Sequence, residues 1–262
     1  MLSWSNSDGW NKVRKAMIDR TDGFPKNFES LHAGEEQLRQ KALEIVRADT
    51  HLQLHIAIVE AAMDLTDLFR QLDTENEDLK VVQLLGMRCF NAFGASLKLA
   101  LSGYHQNSAL LLRDILETAF LLDLFSGDRG QIGDWRTADK RSRLKAFSPV
   151  KVREALDARD GFTSKKRFEM YELFSELAGH PNMKSQLMLQ PVIGGDAVNG
   201  PFMEATSLQA VISEMGRLAV QIGNHLVAFF PTEWREGLPA RMVFAKLHQR
   251  WFRVFYLVEG EL

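Results

Sequence analysis

The stretch from Ser108 to Phe125, SALLLRDILETAFLLDLF, leaves this chain few ways to fold. At about 100° per residue, its leucine, isoleucine and phenylalanine side chains cover nearly every side of a helix, which predicts that the helix is buried. Arg113 and Glu117 lie one turn apart on it. Because long charged side chains are almost never fully buried without partners, we expect these two in a polar pocket inside the core, paired with each other or with polar groups from residues 171–180.

Helical patterns recur along the rest of the chain. The segment from Gly34 to Leu72 has recurrent apolar positions and no internal proline or glycine, which predicts one long helix. Residues 79–102 predict a second helix, with Gly103 as its C-cap. Further helices are predicted at residues 135–147, from 149 onward, from 164 to 178, at 204–230 and at 239–258. Gly194 and Gly195 separate two short apolar stretches, which favours a small hairpin within residues 186–202.

These patterns predict an all-α, single-domain helical bundle of about seven helices with at most one short β-hairpin. The bundle is expected to span residues 31–262. Residues 1–30 lack a sustained period and are predicted to form an N-terminal arm.

Composition excludes several classes of protein. The formal net charge of −2 argues against a globally basic nucleic-acid coat, and Cys89, the single cysteine, rules out an intrachain disulfide. The first residues lack the order of a signal peptide, and no apolar run approaches the ~20 residues of a membrane span. We therefore expect a cytoplasmic protein without a membrane partner.

A local basic stretch nevertheless runs from Arg136 to Arg167, with eleven lysines and arginines against four acids. Trp135, Phe147 and Phe162 are available there for stacking on bases, so the stretch suits RNA phosphates. The alternative is a solvated helix face. The candidate nucleic-acid contacts are Arg136, Lys140, Arg141, Arg143 and Lys145.

No nucleotide, hydrolase or metalloprotease signature is present, and no cofactor is predicted. His180 lies between Gly179, a predicted helix end, and Pro181, which favours an extended backbone. The helix dipole there would favour the protonated imidazole, which could bind a phosphate or act as an acid. Alternatively, His180 only caps the last helix carbonyls.

A metal-binding helical-bundle enzyme is a further alternative. His51 and His55 lie one turn apart, and Glu44 falls close to the same strip of the predicted long helix. Two imidazoles and a carboxylate on one face could contribute to a metal site inside a bundle. A second helix would have to supply more ligands, and the paired Glu-x-x-His motifs of di-iron proteins do not occur, so ordinary packing of the histidines is the other interpretation.

The order of parts resembles bacterial helical proteins of the HEPN superfamily: a pair of long helices, NSALLLRDILETAFLLDLF, YELFSELAGHPN, the irregular GGDAVNGPF and a long amphipathic helix. The likeness covers roughly residues 84–230. It implies an interaction module that binds RNA or a protein partner. Separately, many helical bundles associate through exposed apolar helix faces, so a homo-oligomer is a further expectation. HEPN ribonucleases use an arginine and a histidine a few residues apart in their last helix, and Arg241 and His248 have that spacing.

The resemblance thus implies, as an alternative, a metal-independent ribonuclease. The resemblance supplies Arg241 and His248 as its candidate catalytic residues, and the residue patterns described above add Arg113, Glu117 and His180.

Overall fold

Ten α-helices and no strand form the part of the chain that this computed structural model describes, residues 25–192 and 194–257. They are α1 Lys26–Ala48, α2 Thr50–Arg70, α3 Glu77–Leu101, α4 His105–Gly127, α5 Gly130–Thr137, α6 Lys140–Phe147, α7 Pro149–Asp160, α8 Lys166–Phe174, α9 Ala205–Val227 and α10 Leu238–Tyr256. A π-helical turn, Ser175–Gly179, continues α8, and 3-10 turns cover Met183–Leu189 and Arg235–Gly237. The all-α prediction is confirmed. Most of the predicted arm, residues 1–24, lies outside the described residues.

The ten helices of the described residues exceed the prediction of about seven, and two of the additional helices arise because a predicted helix is divided at an aspartate. Asp49 interrupts the helix expected over residues 34–72, and its carboxylate accepts the His51 N–H at 2.8 Å, which caps α2. Asp139 divides the basic helix in the same way, accepting the Ser142 N–H at 2.7 Å at the start of α6. Each aspartate stabilises a new helix start by satisfying N–H groups that have no partner within the helix.

The predicted hairpin is wrong for the residues that the structure describes in 186–202. Leu189 ends a 3-10 turn, and irregular chain follows up to α9. Pro191 cannot donate to a ladder, which disfavours strand pairing there. The Val198 N–H does reach the Leu189 carbonyl at 3.0 Å, but as an isolated hydrogen bond.

Four long helices, α2, α3, α4 and α9, form a closed ring in which each packs against two neighbours. We call these four helices the bundle. Its interior is filled by side chains without solvent exposure, among them Phe69, Phe93, Leu112, Leu116 and Phe125. Burial of this apolar surface is the main source of stability for such a domain.

The remaining helices lie outside the bundle. α10 packs against α2, whereas α5, α7, α8 and the π turn pack on α4, and α6 packs on α7. We call the layer α5–α8 with its π turn the cover. No helix within residues 25–192 and 194–257 is both long and apolar enough to cross a membrane.

Cys89 lies on α3, inside the bundle, with no solvent exposure. Burial raises the pKa of its thiol to about 12. A thiol in this environment is a packing residue, because reactive cysteines need a stabilised thiolate.

Candidate functional site

Arg113 and Glu117 lie on the side of α4 that the cover packs against. Arg113 Nη2 lies 3.2 Å from Glu117 Oε1 and also donates to the Tyr171 hydroxyl at 2.5 Å. The predicted pairing, with each other and with the 171–180 segment, is confirmed. The two side chains remain 20% and 31% exposed, so the pair lies at the margin of the core and not inside it.

A second arginine, for which we made no prediction, completes this site. Arg153 on α7 is 6% exposed, and its guanidinium carbon lies 4.0 Å from the centre of the Tyr171 ring. The guanidinium carbon of Arg113 lies 4.9 Å from the same centre. The sequence signal for Arg153 is its place one turn before the apolar Leu156, which does not set it apart from the other basic residues of the stretch.

The π turn places Gly179 against Arg113 and Ser175 one turn after Tyr171. The His180 N–H donates to the Ser175 carbonyl at 2.9 Å, which closes the wide turn, and Ser175 is 6% exposed. A Cβ on Gly179 would lie 2.9 Å from Arg113 Nη1, so glycine lets the guanidinium lie against the turn. π-helical turns inside α-helices occur frequently at functional sites. We call Arg113, Glu117, Arg153, Tyr171 and Ser175 the arginine cluster.

His180 follows the π turn with an extended backbone, as predicted, and its side chain is exposed. The carbonyls at this helix end accept from the Asn182 side-chain amide, at 2.9 Å for Glu176 and 3.0 Å for His180 itself. His180 and Gly179 line a pocket of about 300 Å³ at the surface. The histidine is therefore next to the arginine cluster but separated from it by the turn.

On its other side, Glu117 lines a larger groove of about 630 Å³ between α3, α4 and the cover. Its walls are mostly apolar, and the polar groups that line it include Arg88 and Asp114, which pair with each other. A concave, mostly apolar groove with a few polar groups is typical of ligand-binding sites. The side chains that line it include Leu84, Arg88, Asn91, Asp114, Glu117, Leu121, Trp135, Phe147 and Val152.

Two of the predicted nucleic-acid contacts are engaged within the protein. Arg136 Nε donates to Asp78 Oδ1 at 3.1 Å. Arg143 Nη2 donates to the Ala138 carbonyl at 2.8 Å, and its guanidinium carbon lies 5.2 Å from the centre of a Trp135 ring. These arginines hold α5 and α6 in place.

The other three, Lys140, Arg141 and Lys145, lie exposed on α6. None forms an ion pair with a carboxylate in the described ranges, and the same is true of Lys165 and Lys166 just before α8. Because α6 ends at Phe147, which lines the groove, three unpaired cations lie within two turns of an aromatic wall.

The structure does not bring Arg241 and His248 together. Both are on α10, where seven residues correspond to about 10 Å along the axis. The Arg241 guanidinium carbon lies 5.9 Å from the Phe230 ring centre, whereas the His248 ring packs against Phe244. His248 and Arg217 both line another groove, of about 950 Å³. Arg113 does not line that groove.

The proposed metal ligands are also separated. Glu44 lies exposed on α1, beyond the break at Asp49, while His55 lies buried on α2. Trp251 Nε1 donates to His55 Nδ1 at 3.0 Å, and burial, with the nearby charge of Arg217, lowers the His55 pKa to about 4. His51 packs edge-on against Phe255. Within the described residues, no group of three or more His, Cys, Asp or Glu side chains could hold a metal ion.

Comparisons of this chain with protein-family models, with curated proteins and with solved structures found no match. Functional interpretation therefore rests on the arginine cluster, the groove beside it and the basic residues of α6.

Proposed function

We propose that this protein binds single-stranded RNA through α6 and the adjoining groove, as a binding module of the HEPN-like kind. The observation that carries the proposal is the set of exposed cations on α6, Lys140, Arg141 and Lys145, which have no carboxylate partner in the described part of the chain. Exposed cations without internal partners can neutralise phosphates without first breaking an ion pair. We place this function in the cytoplasm.

The groove supplies the second requirement for single-strand binding. Trp135 and Phe147 line it next to the basic helix, and Asn91, Asp114 and Glu117 also line it and offer polar atoms. Unpaired bases stack on aromatic side chains and expose their hydrogen-bonding edges, which duplexes do not. A single strand is therefore expected to bind more tightly than a duplex.

Fluorescence anisotropy with a labelled single-stranded RNA, at 50 and 200 mM salt, tests the proposal. We expect affinity to fall steeply with salt. The triple variant Lys140→Glu, Arg141→Glu, Lys145→Glu reverses these charges and should weaken binding. The negative slope of log K against log salt should become shallower by about 2, since each phosphate contact of a single strand contributes roughly 0.7.

The matched control reverses three exposed cations on α1, Lys26, Lys41 and Arg47, and so changes the net charge of the chain by the same amount. It should bind RNA nearly as well as the unmodified protein. If both triple variants lost the same amount of RNA affinity, the loss would come from the overall charge of the chain and not from α6. Binding that does not depend on salt would contradict the proposal.

RNA cleavage is the weaker alternative, because Arg241 and His248 make no common site. We expect labelled RNA to stay intact during incubation with the protein and a chelator. Cleavage that disappears in His248→Ala but persists in His180→Ala would restore the ribonuclease function, since removal of a general acid costs ~10²-fold or more.

A protein partner is favoured by one further observation, the exposed apolar side chains of α10. Met242, Phe252 and Tyr256 are each about half exposed, and at about 100° per residue they fall on one side of the helix. Apolar surface of this kind commonly marks an interaction site. We propose that α10 mediates self-association. Light scattering on a size-exclusion column should then give twice the monomer mass for the unmodified protein and the monomer mass for Phe252→Asp. A monomer at every concentration would contradict it.

A further inference from the structure

The arginine cluster contains buried hydrogen-bond donors that the protein itself does not satisfy. Arg153 Nη1, Arg113 Nε and Ser175 Oγ are each buried without a hydrogen-bond partner among the described residues. More than nine in ten buried polar groups in folded proteins do have a partner. Two of these donors belong to arginines whose guanidinium carbons lie 4.9 and 4.0 Å from the Tyr171 ring centre and the third to Ser175, one turn after that tyrosine, so together they call for an explanation.

Arg153 is the sharpest of the three. Its side chain is nearly as buried as the bundle interior, and arginine stays charged in proteins. The carboxylates nearest to it in sequence are engaged elsewhere, since Glu154 pairs with Lys151 and Asp157 with Arg167. Its only described interactions are with the rings of Tyr171 and Phe168. A cation in this position is costly unless an anion accompanies it.

Charge balance indicates which anion. Arg113 pairs with the Glu117 carboxylate, whereas Arg153 has no carboxylate partner among the described residues, so the cluster carries one uncompensated positive charge. The planar fork of a guanidinium matches two oxygens held in one plane. The Ser175 hydroxyl, one turn after Tyr171, is a further buried donor without a described partner.

We propose that the arginine cluster binds the carboxylate group of a small organic ligand, held by Arg153 and Arg113 with Ser175 as an additional donor. Its donors are distinct from the exposed cations of α6, and the two sites have Glu117 in common, because that residue also lines the groove. Gly179 lets the Arg113 guanidinium lie against the π turn. A monoanion balances the single uncompensated charge, which favours a carboxylate over a phosphate dianion.

Thermal unfolding of the full chain with formate or acetate, against sodium chloride at equal ionic strength, tests the proposal. At ten times the dissociation constant, we expect the melting temperature to rise by about 3 °C, because a ligand that binds only the folded state stabilises it. Isothermal titration calorimetry with formate should show one saturable site. Inorganic phosphate, mainly a dianion at pH 7.5, should give the smaller shift, and a larger one would overturn the assignment to a carboxylate.

The variant Arg153→Leu separates binding from folding. It removes the uncompensated charge, so its melting temperature in chloride should equal or exceed that of the unmodified protein, while the shift with formate disappears. A lower melting temperature in chloride together with an unchanged formate shift would mean that Arg153 serves the fold and that the site is elsewhere.

Two further variants guard this result. Ser175→Ala keeps both arginines and should weaken formate binding about 3- to 10-fold, the loss expected for one hydrogen bond. Lys151→Gln removes an exposed cation from the same helix as Arg153 and should leave the formate shift intact. Loss of the shift in Lys151→Gln would reduce the effect to surface charge. RNA binding by α6 should persist in Arg153→Leu, so failure of either proposal is recognisable by itself.

Discussion

The bundle and the cover treat buried polar side chains in opposite ways. In the bundle, His55 accepts a hydrogen bond from Trp251 at the packed surface of α10, and the hydroxyls of Ser96 and Ser108 lie 2.8 Å apart. In the cover, Arg153 and Ser175 are just as buried, yet each has a polar atom without a partner in the described ranges. Satisfied networks make a fold specific, whereas unsatisfied donors are expensive and are retained where they serve binding.

The bundle also has an exception, at one of its ends. Neither ring nitrogen of His105, in the first turn of α4, has a side-chain partner in the part of the chain described, and the ring packs edge-on against Phe202. Burial lowers the pKa of this ring, which favours its neutral form. A neutral imidazole costs far less to bury than a guanidinium, which makes the cover the more informative region.

The largest difference between the two regions should appear on truncation of apolar side chains. Leu116→Ala opens a cavity at a fully buried position of the bundle and should cost ~2 to 5 kcal/mol of unfolding free energy. Leu144→Ala, on α6 of the cover, removes a side chain that is 61% exposed and should cost less than ~0.5 kcal/mol. Urea unfolding measures both, and similar losses would erase the distinction.

Acid should weaken the bundle through His55. Its pKa is about 4 in the folded protein against 6.5 ordinarily, so the unfolded chain takes up a proton first as the pH falls. The stabilisation is complete above pH 6.5, falls between pH 6.5 and 4, and amounts to roughly 2 kcal/mol between pH 7 and pH 4.5. Urea unfolding should show that the unfolding free energy falls less between these two pH values in His55→Gln than in the unmodified protein, by roughly 2 kcal/mol, because the variant has no imidazole to titrate. An identical pH dependence in the variant would assign the effect to other groups.

Arg113→Ala should cost about 1 to 2 kcal/mol of unfolding free energy, less than the 3 to 5 kcal/mol of a fully buried pair, because Glu117 remains partly hydrated. The matched variant Arg88→Ala breaks a more exposed ion pair, in which Arg88 on α3 contacts Asp114, the residue after Arg113 on α4. It should cost less than ~1 kcal/mol. A loss above 3 kcal/mol for Arg113→Ala would place the pair in the core after all.

The smallest effect is expected at a helix start. Asp139→Ala removes the cap of α6 and should cost about 0.5 to 1 kcal/mol, the usual value for such caps. Because α6 lies in the cover, hydrogen exchange should accelerate there and not in the bundle. Asp49→Ala, which removes the cap of α2, should instead accelerate exchange in a bundle helix.

The sequence predicted the parts of the molecule that depend on local pattern. The buried character of α4, the start of α7 at Pro149 and the end of α3 before Gly103 follow from apolar periodicity and from proline and glycine chemistry. Gly103 has φ +87°, and a Cβ there would lie 2.6 Å from the Phe202 carbonyl oxygen. Both the backbone conformation and the close approach of Phe202 therefore require glycine at this position.

Features that depend on tertiary contact escaped prediction. An aspartate inside a helical pattern reads equally well as a solvated residue or as a cap, so the breaks at Asp49 and Asp139 were not predicted. Arg153 becomes informative only when Tyr171, eighteen residues later, packs against it. Conversely, Arg241 and His248 satisfy a spacing along the chain, but spacing says nothing about which neighbour each ring or guanidinium contacts.

The position of Cys89 has a practical consequence. Cys89 is the sole thiol of the chain, and it lies on α3 with its side chain buried inside the bundle. Because its raised pKa also keeps it protonated, it reacts with a disulfide reagent only after the helices separate. The rate of labelling in native buffer thus counts the openings of the bundle directly. A second cysteine introduced at an exposed site, such as Leu144, would take a fluorophore while Cys89 stays silent, so that motion of α6 and opening of the bundle can be timed separately in one molecule.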